Sequence, residues 1–179
     1  MNEILEQVMK AGDTIGGAVE CIARHVPVGL GDPVYGKIEA KLAAAMMSLP
    51  ASKAFEIGEG REAARMRGSE HNDLFCHKGD AIGCETNHAG GVLGGITTGE
   101  PIVIRVFFKP ASTIRLKQRT VDVYGNELDF APPAHSRHDP CVAIRAVPVV
   151  SAMMALVVAD CLLLQRTAAV HQAIPLCYK

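Results

Sequence analysis

Residues 146–164 form the longest apolar run of the chain and carry a single charge, Asp160. A run of this length can cross a bilayer, or it can be a central helix buried by its own domain or at an oligomer interface. Pro148 near its start, Asp160 in its last turns and the lack of a second such run favour the central helix, with no membrane involved. Just ahead of it stand Arg137, His138 and Asp139, a polar cluster delivered to the head of an apolar helix. Local chemistry leaves two readings of that cluster. It is either a salt-bridged cap on the helix, or a site in which Arg137 clamps an anionic oxygen and Asp139 takes a proton.

At 179 residues the chain is expected to form one domain, residues 1–179, with a core drawn from Ala, Val, Ile, Leu and Met, because tryptophan is absent. A formal charge of -1 argues against nucleic acid as a partner, since neutralising phosphates needs a surplus of Lys and Arg. The charge is uneven, however. Arg105, Lys109, Arg115, Lys117 and Arg119 crowd into residues 101–121 without one acidic neighbour, a pattern suited to a small anionic ligand. The six cysteines include no CxxC pair, and the acidic N-terminus shows no signal peptide, so a reducing cytoplasm is expected.

Helical and strand patterns alternate irregularly, which gives a mixed α/β (α+β) class without a βαβ period. A short helix is expected over 3–10, then a strand over 14–26 after the Gly16-Gly17 bend. Asp32 reads as an N-cap with Pro33 at the first helical position, opening a helix over 33–48 whose stripe is Val34, Ile38, Leu42 and Met46. Pro50 ends it. A strand follows over 51–57 and a short helix over 61–66, and 69–85 reads as loop. Residues 101–108 form the clearest strand, apolar enough to be covered on both faces. Residues 119–123 and 127–130 flank Tyr124-Gly125-Asn126 as a hairpin.

Three motifs bear on chemistry. His71, Cys76, His77, Cys84 and His88 lie close in sequence, but their spacing fits no metal-ligand pattern, so no metal is expected. The glycines of 87–99 can bring backbone close to a flat or phosphorylated ligand, or can simply make a tight turn. Lys109, Pro110, Ala111, Ser112 and Thr113 end the best strand with a cation, two hydroxyls and free N–H groups, which suits a phosphate pocket as well as a capped loop.

Taken in order, several segments resemble chorismate synthase. They are Val26-Pro27-Val28-Gly29-Leu30-Gly31, Ser48-Leu49-Pro50-Ala51, Phe55-Glu56-Ile57-Gly58-Glu59-Gly60 and Arg67-Gly68-Ser69-Glu70-His71-Asn72-Asp73. The matches continue through Asn87-His88-Ala89-Gly90-Gly91-Val92-Leu93-Gly94-Gly95-Ile96, Phe108-Lys109-Pro110, and Arg137-His138-Asp139-Pro140-Cys141 to Pro148. The resemblance implies a lyase converting 5-enolpyruvylshikimate-3-phosphate to chorismate and phosphate by 1,4-anti elimination, with reduced FMN as cofactor. It implies flavin contacts at Pro50, Ala51, Gly94, Lys109, Pro110, Ala111, Ser112, Thr113 and Arg137, with Arg137 also facing substrate and Asp139 assisting proton movement. It also implies a β-α-β sandwich with helices between sheets, and a homotetramer.

The resemblance covers the C-terminal half of the family's pattern. The family's Gly-Glu-Ser-His-Gly and Arg-Pro-Gly-His motifs, which carry its acid/base histidines, have no counterpart, and none of the seven histidines here sits in either. Ala111, Thr113 and Ser136 are smaller departures. Two expectations follow: half of an active site completed by a separate N-terminal half, or a non-catalytic remnant that keeps the flavin-site residues.

Overall fold

The computed structural model describes residues 1–79, 81–133 and 138–168. Its centre is a three-stranded antiparallel sheet made of β1 (Gly17–Ala23), β2 (Ser52–Ile57) and β7 (Ile102–Phe108), in the order β1-β7-β2. Both outer strands run against β7, so they are parallel to one another, and α2 (Ile38–Met47) makes the crossover between them. The long helix α4 (Val142–Ala168) lies beside α2 on the same face of the sheet.

The core is the meeting of three stripes. In α2, Ile38, Leu42 and Met46 recur every fourth residue and are wholly buried. Along β7 the alternate residues Ile102, Ile104, Val106 and Phe108 turn inward. α4 contributes Ala143, Ala146, Val150, Met154 and Cys161. This mixed architecture is α+β, the class expected, and in it α2 and α4 pack on one face of a single three-stranded sheet.

Three local expectations need correction. The helix expected from Pro33 starts only at Ile38, with Lys37 as its N-cap. Asp32 instead donates its N–H to the Gly36 carbonyl, closing a turn in which Val34 is left-handed (φ 68) and exposed. Gly36 resists helix, and the first helical N–H, on Ile38, goes to Gly95 O at 3.0 Å. Residues 69–85 are not loop: they hold α3 (Gly68–His71) and a hairpin of β3 (Phe75–Lys78) and β4 (Ala81–Cys84). Finally, β7 is covered on one face only. On the other, Val103, Arg105 and Phe107 are half-buried, and the register sets Glu20, Arg105 and Glu56 in one row across the three strands.

The remaining short strands are two more hairpins, β5 (Val92–Leu93) with β6 (Ile96–Thr97), and β8 (Gln118–Val121) with β9 (Glu127–Phe130). The N-terminal helix α1 spans Asn2–Ala11, and a 3-10 turn, Gly60–Arg65, follows β2.

The apolar run proves longer than expected, and it is not buried all round. Only 17% of the most apolar 18-residue window of α4 is buried. Ile144, Val147, Val149, Leu156, Leu162, Leu163 and Leu164 are exposed. Among the described residues it is the one helix long and apolar enough to cross a membrane. A helix that packs along a single stripe leaves its other faces for a partner, and a stable soluble fold rarely leaves so much apolar surface open.

Candidate functional site

The segment Gly12–Gly17 joins two of the stretches that sequence reasoning singled out, the Lys109–Thr113 loop and the residues leading into the long helix. Its Thr14 hydroxyl donates to Ala111 O at 2.7 Å, and Ile15 N–H donates to Pro140 O at 2.8 Å. Gly12 O accepts the Arg115 N–H at 2.8 Å, and Gly16 O faces the Cys141 thiol. One short stretch thus ties the Lys109–Thr113 loop to the residues leading into α4. Gly16 must lack a side chain there: a Cβ would stand 2.6 Å from Phe108 O and 3.3 Å from Pro110 Cδ. The sequence had offered Gly16 as a bend before a strand, but its contact with the far end of β7 depends on tertiary packing.

Across the sheet, the other wall is the end of α2. Ala51 is left-handed (φ 66), uncommon for a residue with a Cβ, and its carbonyl accepts the Lys109 N–H at 2.9 Å. Strain of this kind persists where packing over-determines it, often at binding sites. Ser52 Oγ donates to Leu49 O at 2.7 Å and fixes the turn through Pro50 and Ala51. Lys109 Nζ donates to Ser112 Oγ at 2.6 Å, folding the cation back over its own loop.

Asp139 lies at the entrance to α4, with Oδ2 3.2 Å from Arg145 Nη1 in the helix's first turn. The salt-bridged-cap reading therefore describes this residue's local contacts, and its carboxylate is held just beyond the Gly12–Gly17 segment. Arg137 lies outside the described residues. His138 and Arg115, which sequence reasoning did not single out individually, line a cavity of about 60 Å³ with Met9, Gly12, Asp13, Thr14, Ile114 and Pro140. The cavity is large enough for a water or two and far too small for a nucleotide. His138 Nε2 is buried there and meets no hydrogen-bond partner among the described residues.

Not all of the basic run faces this site. Arg105 lies on the open face of the sheet, Nε 2.9 Å from Glu20 Oε2 and Nη1 3.0 Å from Gly58 O. Lys117 pairs with Asp129 at 2.7 Å. Lys109 and Arg115 are the cations left at the Gly12–Gly17 junction. Gly94 is not brought to them. It occupies the β5–β6 turn (φ 61), next to the Gly95 carbonyl that receives the start of α2, whereas Ala51 follows the end of that helix, about 15 Å away at 1.5 Å per residue. A Cβ on Gly94 would meet nothing within 4 Å, so open space adjoins it.

The glycine-rich segment is held by a carboxylate that sequence reasoning passed over. Asp73 accepts the Thr86 hydroxyl at 2.7 Å and the N–H groups of His88 (2.8 Å) and Ala89 (2.9 Å). Burial alone would raise its pKa, but the Thr86, Ala89 and His88 hydrogen bonds prevail and hold it below the ordinary value. His88 Nδ1 is 3.0 Å from Glu59 Oε1, and the rings of His71 and His88 are 5.9 Å apart. Among the described residues no group of three His, Cys, Asp or Glu side chains is gathered as a metal site.

A family model for chorismate synthase matches residues 1–163. The chain belongs to the chorismate synthase family. It is 59% identical over 166 residues to chorismate synthase of Protochlamydia amoebophila (strain UWE25), a match spanning 93% of this chain and 45% of that protein. It is 56% identical over 162 residues to that of Methylacidiphilum infernorum (isolate V4), spanning 90% of this chain and 44% of the relative. A crystal structure of chorismate synthase superposes with a TM-score of 0.73 at 34% identity, covering 92% of this chain and 42% of the solved one. The chain therefore spans less than half the length of the curated relatives it matches.

Proposed function

We propose that this chain forms one wall of a chorismate synthase active site, the part that grips the anionic end of a flavin or substrate. The observation that carries the reading is that the Lys109–Ser112 loop is held from two sides, by Ala51 and by Gly12–Gly17, the latter also holding the Asp139 segment, in a chain of this family. The reaction expected of the completed site is 1,4-anti elimination of phosphate from 5-enolpyruvylshikimate-3-phosphate to give chorismate, in the shikimate route to aromatic amino acids.

The residues present fit part of the family's cofactor, reduced FMN. Lys109 is a cation at the mouth of a loop with two hydroxyls, a donor set suited to a phosphate, and open space adjoins Gly94. When bound, reduced FMN supplies an electron-rich ring that eases departure of the phosphate. The chain's own residues then have distinct duties. Lys109, with Ser112 and Thr113, binds an anionic oxygen, and Arg115 adds positive potential from the junction. Ala51 and Pro50 form the floor beside the Lys109 backbone. Asp139, gripped at Oδ2 by Arg145, keeps its second carboxylate oxygen, Oδ1, to take or release a proton. Arg137 would clamp the substrate. Proton donation to the leaving group needs a further acid, and the family's histidine motifs for it have no counterpart in this sequence.

On this reading the whole is one domain, residues 1–179, completed by a separate N-terminal half, working in the cytoplasm within a homotetramer. A second reading is a non-catalytic remnant that retains flavin-site residues, since the family's histidine motifs have no counterpart in this sequence. Flavin binding tests the site itself. The chain alone should quench FMN fluorescence only weakly, and Lys109→Ala should weaken it about tenfold further, as expected for a lost charge-assisted contact. Quenching indifferent to Lys109→Ala would remove the loop from the site.

A further inference from the structure

Where α2 meets the second half of α4, a lysine and a cysteine share a depression that the proposed reaction does not use. Lys41 Nζ lies 3.8 Å from Cys161 Sγ, and the two residues are 120 apart in sequence. Cys161 stands in the packed stripe of α4 and is 2% exposed, while the Lys41 side chain is 28% exposed. Both line a depression of about 330 Å³ with Gly29, Gly31, Asp32 and Gln165. The thiol is therefore out of bulk water but faces a space that a water-sized reagent can enter. Gln165 Nε2 donates to Gly29 O at 3.0 Å and holds the rim in place.

The amine is loosely partnered. Its contact with a carboxylate is Asp160 Oδ2 at 3.9 Å, and the Asp160 side chain is 65% exposed. Exposed pairs at such a distance hold weakly. Lys78 is the contrast: its charge is felt at Cys76 and Cys84, but Glu100 grips its Nζ at 2.6 Å. Burial pushes the Cys161 thiol up, and the Lys41 charge works against it. A thiol kept neutral makes no tight ion pair, so nitrogen and sulfur stand at van der Waals range without a strong competing bond. Reacting atoms held about 3–3.5 Å apart react as if at very high local concentration. The flexible lysine stem closes the remaining few tenths of an ångström.

We infer that Lys41 and Cys161 are a modification site, joined as a sulfenamide when the protein meets hydrogen peroxide. In the first step the Cys161 sulfur attacks a peroxide oxygen. The O–O bond breaks, the S–O bond of a sulfenic acid forms, and water leaves with the thiol proton. In the second step the Lys41 ammonium gives a proton to solvent and its lone pair attacks the sulfenic sulfur. The S–N bond forms, the S–O bond breaks, and the hydroxyl leaves as water with a second proton from the nitrogen. One peroxide thus becomes two waters, and the protein loses two hydrogens. Two equivalents of a thiol reductant restore both side chains and leave as their disulfide. The link staples α2 to α4 across a 120-residue loop. It acts on the helix that runs from the Gly95 carbonyl to the Ala51 turn, and it stands whether or not the chain is catalytic.

The test treats the 179-residue chain with millimolar hydrogen peroxide in mildly alkaline buffer and reads its digests by mass spectrometry, with and without dithiothreitol. The expected result is a peptide pair joining Lys41 to Cys161, lighter by two hydrogens than its parts, which dithiothreitol separates. Closing so long a loop should raise the melting temperature of the oxidised chain by roughly 5–10 °C, reversibly on reduction. Lys41→Arg keeps a cation beside Asp160 but cannot form the link, and Cys161→Ser removes the sulfur. Both should abolish the peptide pair and the melting shift. Cys161 recovered unmodified, as a disulfide or as a sulfinic acid, with no peptide joined to Lys41, overturns the inference. So does a joined pair that retains the peroxide oxygen, which would replace the S–N bond by an oxygen bridge. A melting shift that persists in Lys41→Arg overturns the staple.

Discussion

Replacing Gly16 by alanine places a methyl group 2.6 Å from the carbonyl oxygen of Phe108 and 3.3 Å from Pro110 Cδ. An ordinary contact lies several tenths of an ångström further out, and the obstructing atom is backbone at the end of the central strand. The strand and the Lys109–Pro110 turn must therefore move away from the Gly12–Gly17 segment. That motion stretches the Ile15 N–H···Pro140 O and Thr14 Oγ1···Ala111 O bonds, both under 2.9 Å in the native fold. Overpacking of this kind costs about 1–3 kcal/mol. In a chain of this size that lowers the melting temperature by roughly 2–12 °C, at 2–4 °C per kcal/mol. Thermal unfolding by circular dichroism reads the stability, and FMN quenching reads the site. Both should fall together in Gly16→Ala. An alanine variant with unchanged melting temperature and unchanged flavin binding would refute the claim that Gly16 seats the Lys109 loop.

Relief of the left-handed strain at Ala51 makes Ala51→Gly stabilising by about 0.5–1 kcal/mol in denaturant unfolding, and a destabilised variant would show that the residue is not strained. Thr97 is 2% exposed, and its hydroxyl accepts the Leu30 N–H at 2.8 Å and donates to Pro27 O at 2.6 Å. Thr97→Val strands both groups and should cost roughly 2–4 kcal/mol; a loss under about 0.5 kcal/mol would contradict it. Asp73 has a folded pKa below the ordinary aspartate value of 3.8, so the unfolded chain binds the proton more readily. Its contribution is present above about pH 3.8 and is lost as pH falls through the lower folded pKa. Asp73→Asn should flatten the acid limb of a stability-versus-pH curve in that window, and an unaltered limb would count against the Asp73–Thr86–Ala89 bonds.

What the sequence made legible was periodic or local. The stripe Ile38, Leu42 and Met46, the alternation of β7 and the 119–130 hairpin all follow from side-chain spacing, and all three are formed. The start of α2 was misread because the Asp32-Pro33 start signal competed with Gly36 and lost to a tertiary bond from Ile38 N–H to Gly95 O. The β3–β4 hairpin was missed because its residues are mostly exposed, Phe75 and Ile82 included, and the pairing of Cys76 with Gly83 leaves no alternating apolar pattern. For the site, Lys109, Ser112, Ala51 and Asp139 were named from motifs. The segment that joins the Lys109 loop to the Asp139 stretch, Gly12 to Gly17, was invisible because it acts mostly through backbone groups far apart in sequence. The fate of Arg105 was equally hidden: only the register of three strands reveals Glu20 and Glu56 on either side of it.

The central proposal is that this chain supplies a flavin- and anion-gripping wall of a chorismate synthase site, while the family's acid/base histidine motifs have no counterpart in its 179 residues. Turnover tests it most directly: purified chain, reduced FMN under anaerobic conditions and 5-enolpyruvylshikimate-3-phosphate, with chorismate followed by its absorbance. The account predicts no chorismate from the chain alone, and chorismate once the remaining part of a relative's sequence is supplied. Chorismate from the chain alone, or none from a folded and flavin-loaded complex of the two parts, would contradict it.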